Sequence, residues 1–252
     1  MKLESLVQYL DDYLRVQDVP DYANAVNGLQ VGGRDEVSTI VTAVDASEAS
    51  IRAAVHAGAE LLLVHHGLFW GGVEPIVGRH FRRIEALISG GTALYSCHLP
   101  LDAHSEIGNS ALLASCLDVD IAGGLGEYKG AQVGCWGTLT EPLGPAALRD
   151  RLCRALGSPV TAIPGGPERI ETIGVVTGGG GSFIREAAER GLHAFVTGEG
   201  SHQHYFDATE LGIHVFLGGH YATETFGVRA LGEHVAERFG LSCSFIDQPT
   251  GL

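Results

Sequence analysis

Thr39-Ile40-Val41-Thr42-Ala43-Val44 is a short β-branched run, and Leu61-Leu62-Leu63-Val64 is wholly apolar. Both read as buried strands. Between them Ser47 can cap a helix that runs to about Ala57 and that Gly58 ends. Strand, helix and strand in such short order form the unit of a parallel α/β sheet. Shifted by 133 residues, this stretch falls without a gap on a second one. Thr39-Ile40 meets Thr172-Ile173, Ile51-Arg52 meets Ile184-Arg185, Ala54 meets Ala187, Gly58 meets Gly191 and Gly67 meets Gly200. Where the second strand ends, one copy reads His65-His66-Gly67 and the other Gly198-Glu199-Gly200. A further feature repeats at an offset of 122, where His98-Leu99-Pro100-Leu101-Asp102 falls on His220-Tyr221-Ala222-Thr223-Glu224. The sequence therefore predicts an α/β fold of two similar halves, residues 1–122 and 123–252, related by an internal duplication and a pseudo-twofold. Ligands of open α/β sheets gather outside the carboxyl ends of the strands. The polar strand ends are accordingly expected to face one another, with the functional site between the halves.

Outward from this core, Leu3, Leu6, Val7, Leu10 and Leu14 recur at helical spacing, so the chain opens with an amphipathic helix. Residues 27–33 are turn-rich, a helix is expected near His80 to Ser89, and a strand near Thr92 to Cys97. After residue 117 the pattern changes, and 118–170 reads as a short connecting region with a strand at Gln132 to Thr140 and a helix at Pro145 to Leu156. Alternation then resumes, with a long helix from about Tyr221 to Arg238 and a last strand near Cys243 to Ile246.

Of the 252 residues 45% are apolar, enough for a real core without disulfides. Sixteen Lys and Arg stand against thirty Asp and Glu, a net charge of −14 that repels phosphate backbones and anionic membranes. Nucleic acid is not an expected partner. No run of 18 apolar residues predicts a membrane span, and the N-terminus, which soon reaches Asp11-Asp12, has no signal-peptide apolar region. The five cysteines are scattered and form no C-x-x-C pair, which suits reduced thiols in a cytoplasmic protein.

The histidines carry the chemistry. Consecutive strand residues point to opposite faces, so one ion would not easily take both His65 and His66, whereas two neighbouring ions could take one each. An isolated His pair also reads as two hydrogen-bonded rings at a strand end. His220 and Glu224 share one face at i,i+4 spacing, which suits a metal and equally suits a surface pair at a helix start. Asp102, after Pro100, fits a turn as well as a ligand position. Together His65, His66, Asp102, His220 and Glu224 would hold two divalent ions if one carboxylate bridges. All-nitrogen-and-oxygen ligation suits Zn, Fe, Mn or Co. His98 and Glu199 are candidates for orienting a ligand or for catalytic acid/base work. Gly178, Gly179, Gly180 and Gly181 join a strand to a helix, where bare amides make an anion site for substrate. A tight turn capped by Ser182 explains the same glycines. Phe69 and Trp70 could stack on a substrate ring or simply pack.

Asn27-Gly28-Leu29-Gln30-Val31, Val64-His65-His66-Gly67, His98-Leu99-Pro100-Leu101-Asp102-Ala103-His104, Thr177-Gly178-Gly179-Gly180, Thr197-Gly198-Glu199 and Gly219-His220-Tyr221-Ala222-Thr223-Glu224 run in order along nearly the whole chain. In this set the chain resembles the NIF-three-like family of dinuclear metal proteins, which includes the bacterial YbgI proteins and is often labelled GTP cyclohydrolase I type 2 homologue. The resemblance implies two interlinked α/β domains in a ring-shaped homohexamer with metal sites facing an inner cavity. It implies two metal ions at His65, His66, Asp102, His220 and Glu224, with Glu224 as the bridge. The region 118–170 is too short for the extra domain some relatives carry. The stretch Gly200-Ser201-His202-Gln203-His204 departs from the family pattern, so its histidines are not assigned as ligands. The activity implied is a metal-dependent hydrolase of a small nucleotide, opening the guanine imidazole ring of GTP with release of formate. A two-metal phosphoesterase or amidohydrolase would use the same ligands, and a non-catalytic metal-binding or partner-binding scaffold is the reading from another class.

Overall fold

The computed structural model describes residues 1–252. In chain order its elements are α1 (Leu3–Tyr13), β1 (Gly28–Val31), β2 (Thr39–Asp45), α2 (Glu48–His56), β3 (Leu61–His66), α3 (Gly78–Gly90), β4 (Ala93–Ser96), α4 (Leu99–Asp102), α5 (Asn109–Cys116), β5 (Val119–Tyr128), β6 (Ala131–Leu143), α6 (Pro145–Leu156), β7 (Thr161–Ile163), β8 (Ile170–Val176), a 3₁₀ turn (Gly180–Phe183), α7 (Ile184–Glu189), β9 (Ala194–Thr197), α8 (His204–Leu211), β10 (His214–Leu217), α9 (His220–Thr223), α10 (Thr225–Phe239) and β11 (Ser242–Phe245). The chain forms two compact units, Met1–Leu101 with Gly227–Gln248, and Asp102–Phe226 with Pro249–Leu252. The division expected after residue 122 falls inside β5.

The first unit holds a five-stranded sheet in the order β1-β4-β3-β2-β11. Strands β2, β3, β4 and β11 run parallel, and β1 lies antiparallel on the edge. The centres of β2, β3 and β4 are buried throughout, as parallel strands covered on both faces must be. Ser47 caps α2 by accepting the Ser50 amide at 3.0 Å, as its position before the helix predicts. The core of this unit packs Ile51 and Ala54 of α2 and Leu87 of α3 on Val41, Leu62 and Leu94 of the sheet.

The second unit holds a six-stranded sheet, β5-β6-β8-β9-β10-β7. Strands β8, β9 and β10 are parallel, and β7 lies antiparallel on the edge beside β10. On the other side a long antiparallel hairpin, β5 and β6, is laid against β8. Its turn, Lys129-Gly130, has positive φ at both residues, 50° and 90°, the geometry a tight hairpin turn demands. Leu113 and Leu117, Leu148 and Leu152 of α6, and Ile173, Val175 and Phe216 of the sheet form its core.

The predicted halves are thus visible as two copies of one arrangement, β2-β3-β4 with edge β1 and β8-β9-β10 with edge β7. Three details differ from the sequence reading. Residues 28–31, read as turn, pair with β4. Strand β5 is not apparent in a stretch containing Gly123, Gly124 and Gly126. The long helix expected from Tyr221 is broken at Glu224, whose φ of −104° separates α9 from α10. No helix is long and apolar enough to cross a membrane.

Candidate metal centre

In the first unit, three histidines converge at the carboxyl ends of β3 and β4. His65 is fully buried. Its Nδ1 lies 3.0 Å from the Cys97 carbonyl, which can only accept, so Nδ1 carries the proton and Nε2 keeps its lone pair in the neutral ring. His66 stands beside Asp45 because β2 and β3 pair in register there, and its Nδ1 is 2.9 Å from Asp45 Oδ1. His98 follows β4, and its Nδ1 is 2.9 Å from Asp21 Oδ1. Asp21 also accepts the Leu99 amide at 2.9 Å, the Asn27 amide side chain at 2.8 Å and the Tyr22 amide at 2.6 Å. Burial pushes its carboxyl up, but the hydrogen bond and charge of His98, with Asn27 and Tyr22, outweigh that and hold it below the ordinary range.

The ligand atoms of His65, His66 and His98 all lie within 4.8 Å of one another, so the three form a group that could hold a metal ion. The rings of His65 and His66 are only 4.7 Å apart, closer than the alternation of a regular strand suggests. The pairing of β3 with β4 stops at Val64, so the last two residues are past the doubly paired part of the pleat. Trp70 stands edge-on to both His98, at 4.8 Å between centroids, and His66, at 5.9 Å.

The second unit brings carboxylates to the equivalent places. His220 opens α9, and its Nε2 lies 3.2 Å from Glu224 Oε2 one turn on. Its Nδ1 lies 3.3 Å from Glu199 Oε1. The hydrogen bond to Glu224 pushes the imidazole pKa up to about 9, against the opposing effect of burial and helped by the charges of Glu224 and Glu199. A proton held between an imidazole and a buried carboxylate in this way is one that a divalent cation displaces on binding. Asp102 is buried and accepts the Asn109 side-chain amide at 2.8 Å.

The glycine loop is fitted to this carboxylate. Gly178 has φ of +61°, and a Cβ there would run into the Glu224 carboxylate. Its carbonyl accepts the amides of Gly198, at 2.9 Å, and Glu199, at 3.0 Å, and its own amide donates to Thr223 Oγ1 at 3.0 Å. The loop therefore ties the ends of β8 and β9 to the start of α9. Gly180 and Gly181 are buried, Gly179 is exposed, and Ser182 lies inside the 3₁₀ turn with no side-chain capping bond. His204, left unassigned from the sequence, accepts the Ser201 amide at 2.9 Å.

The donor set fits divalent metal ions. Each of the four imidazoles has its Nδ1 at an oxygen of its own unit, Cys97 O, Asp45, Asp21 or Glu199, which fixes the ring and presents Nε2. Such an acceptor behind the ring is the usual accompaniment of a metal-binding histidine. The structure thus gathers His65, His66 and His98 in one unit, and His220, Glu224, Glu199 and Gly178 in the other. Sequence reasoning missed Asp45, Asp21 and Asn109. The parallel register of β2 and β3 could have flagged Asp45, whereas Asp21 lies in an irregular stretch 77 residues from its partner.

Known proteins match this chain from end to end. The family described as Duf34/NIF3 (NGG1p interacting factor 3) matches residues 1–250. A Halobacterium salinarum protein named GTP cyclohydrolase 1 type 2 homolog is 46% identical, with 100% of both chains covered. The Escherichia coli protein of the same name is 41% identical, with 99% of each covered. A solved structure described as protein ybgI, of unknown function, superposes with a TM-score of 0.94 at 40% identity over 100% of both chains. The chain belongs to the Duf34/NIF3 family.

Proposed function

We propose that this protein is a dinuclear metal-dependent hydrolase that opens the imidazole ring of a guanine nucleotide such as GTP and releases formate. The observation that carries the metal part is that all four imidazoles have their Nδ1 atoms engaged by oxygens of their own unit, with His220 beside the buried carboxylate of Glu224. The name shared by the relatives supports the reaction class. His65, His66, Asp102, His220 and Glu224 would hold the two ions, of Zn, Fe or Mn, while His98 keeps its Nε2 for proton transfer. When bound, such ions lower the pKa of water towards neutrality and act as Lewis acids.

The protein's own groups do the rest. His98, backed by the anionic Asp21, is placed to take and return a proton. Glu199 is 56% exposed at its side chain and touches His220, which suits a carboxylate exchanging protons with solvent. Of the glycine loop, Gly179 is exposed and offers its backbone amide to a substrate anion, whereas the Gly178 amide is taken by Thr223 and Gly180 and Gly181 are buried. The working form is the homohexamer that the resemblance implies.

Metal-stripped and reloaded protein should be compared for formate release from GTP. Formate that appears only with metal, and disappears in His66→Ala and Asp102→Ala, is the expected result. Phosphate without formate would replace this reading with a phosphoesterase. No turnover by fully loaded protein would leave a metal-binding scaffold.

A further inference from the structure

A second site lies in the first unit, against the same strand end. Residues between 67 and 83 line a half-open cavity of about 330 Å³ whose walls include Trp70, Glu74, Arg79, His80 and Arg83. Two features of this cavity are unusual in a chain with net charge −14. Arg79 and His80 lie in the first turn of the 13-residue helix α3, which has no acidic first-turn residue and no side-chain cap. A helix N-terminus is the positive end of the peptide dipole, where cations are disfavoured. Arg83, one turn on, also lines the cavity and forms no salt bridge, although Arg82 beside it pairs with Glu48 at 2.9 Å. Burial first, then the neighbouring Arg79, holds the Arg83 guanidinium below its usual pKa. Like charges do not gather on one cavity wall without cost. Glu74 is the one carboxylate on the wall, set against two arginines and a histidine.

We infer that this cavity is a phosphate-binding site, in which Arg79, Arg83 and the amino end of α3 hold a phosphoryl group. A phosphate has the charge and the multiple acceptor oxygens that two guanidiniums and a helix N-terminus match together. Position gives the site its use. Gly67 and Leu68, which also line it, directly follow His66, and Trp70 forms part of its wall while its edge meets His66 and His98. A phosphorylated ligand anchored there has its other end beside the three histidines. That last step rests on the nucleotide reading above, whereas phosphate binding itself does not.

The test uses the full-length, metal-stripped protein in a Trp136→Phe background, which leaves Trp70 as the sole indole. Inorganic phosphate, GMP and guanosine are titrated while Trp70 fluorescence is followed. Phosphate and GMP should both give saturable changes, and guanosine should give none. Losing one charge-assisted contact should weaken GMP binding about tenfold in Arg83→Gln and in Arg79→Gln. Arg149→Gln, whose arginine pairs with Asp150 on the other unit, should leave it unchanged. Arg79 is exposed, so Arg79→Gln serves even if Arg83→Gln proves unstable. Absence of a saturable phosphate signal, or equal affinity in Arg79→Gln, would overturn the inference. Phosphate binding without formate release would sink the cyclohydrolase reading alone, and formate release without phosphate binding would sink only this one.

Discussion

The two copies of the strand-helix-strand arrangement share a scaffold and differ in chemistry. Strands β2, β3 and β4 correspond to β8, β9 and β10, and each set carries an antiparallel edge strand beside its last member. Ile51 and Ile184, which the 133-residue offset equates, are both buried at the start of their sheets' covering helices. The ends of β3 and β9 diverge, whereas both copies keep a histidine and a carboxylate four residues apart after the next strand, His98 with Asp102 and His220 with Glu224. The first copy ends β3 with two imidazoles, and His98 brings a third. The second ends β9 with Gly198 and Glu199 and places Glu224 in the space left by Gly178. One copy is thus rich in nitrogen donors braced by oxygens, and the other in carboxylates given room by glycines. The lesson is that packing positions tolerate little change after duplication, whereas strand ends, which carry no core, can be respecified residue by residue.

The largest effects should therefore be symmetric. Ile51→Ala and Ile184→Ala should each cost about 2–5 kcal/mol, since both delete a buried side chain. Urea denaturation measures this, and a cost confined to one copy would break the equivalence of the scaffolds. The glycines should be asymmetric. Gly178→Ala meets both a left-handed backbone and the Glu224 carboxylate, and should cost about 1–3 kcal/mol and lower metal content. Gly67→Ala displaces the Gln30 amide and its hydrogen bonds to Ala25, Val26 and Leu68 but keeps an ordinary backbone conformation, and should cost less. Thermal melts of the two variants would sharpen the contrast, and equal shifts would erase it.

The braces behind the imidazoles come next. Asp45→Ala removes a 2.9 Å contact to His66, and Glu199→Ala a longer and more exposed 3.3 Å contact to His220. Loss of such a brace typically lowers metal affinity about 10–100-fold. Asp45→Ala should fall toward the upper end of that range and Glu199→Ala toward the lower, as competition with a chelator would show.

The smallest effect concerns the strand starts. Glu60 accepts the Ser38 amide at 3.2 Å and the Thr39 amide at 2.8 Å, and at the equivalent place His193 Nδ1 accepts the Glu171 amide at 3.0 Å. Burial raises the Glu60 carboxyl, but the amides of Thr39 and Ser38 outweigh it and hold the pKa below the ordinary 4.5. A depressed folded value means stability that is present above about pH 4.5 and lost as the pH falls through the lower one. Glu60→Gln should remove that part of the acid dependence, and an unchanged acid limb would contradict it.

Much of this contrast is legible in the sequence, because the duplication aligns without gaps and the chemistry sits just beyond apolar runs. Thr39 to Val44 and Leu61 to Val64 announce their strands, and His65-His66 announces the site. The hairpin of β5 and β6 is not legible, since Gly123, Gly124 and Gly126 interrupt any strand pattern. Asp21 is silent for a different reason. Its role exists only once tertiary structure brings residues 21 and 98 within 2.9 Å. The cationic cavity is half legible, as Arg79, Arg82 and Arg83 are conspicuous in an acidic chain, but nothing in their spacing says which of them lacks a partner.

Elemental analysis of purified protein tests most directly whether these strand-end side chains are metal ligands. The unaltered chain should hold two divalent ions, Glu224→Ala should lose both or bind them weakly, and His104→Ala should retain them, since His104 Nδ1 is engaged by the Glu106 and Ile107 amides at 3.2 and 3.3 Å. Full metal occupancy in Glu224→Ala would contradict the account.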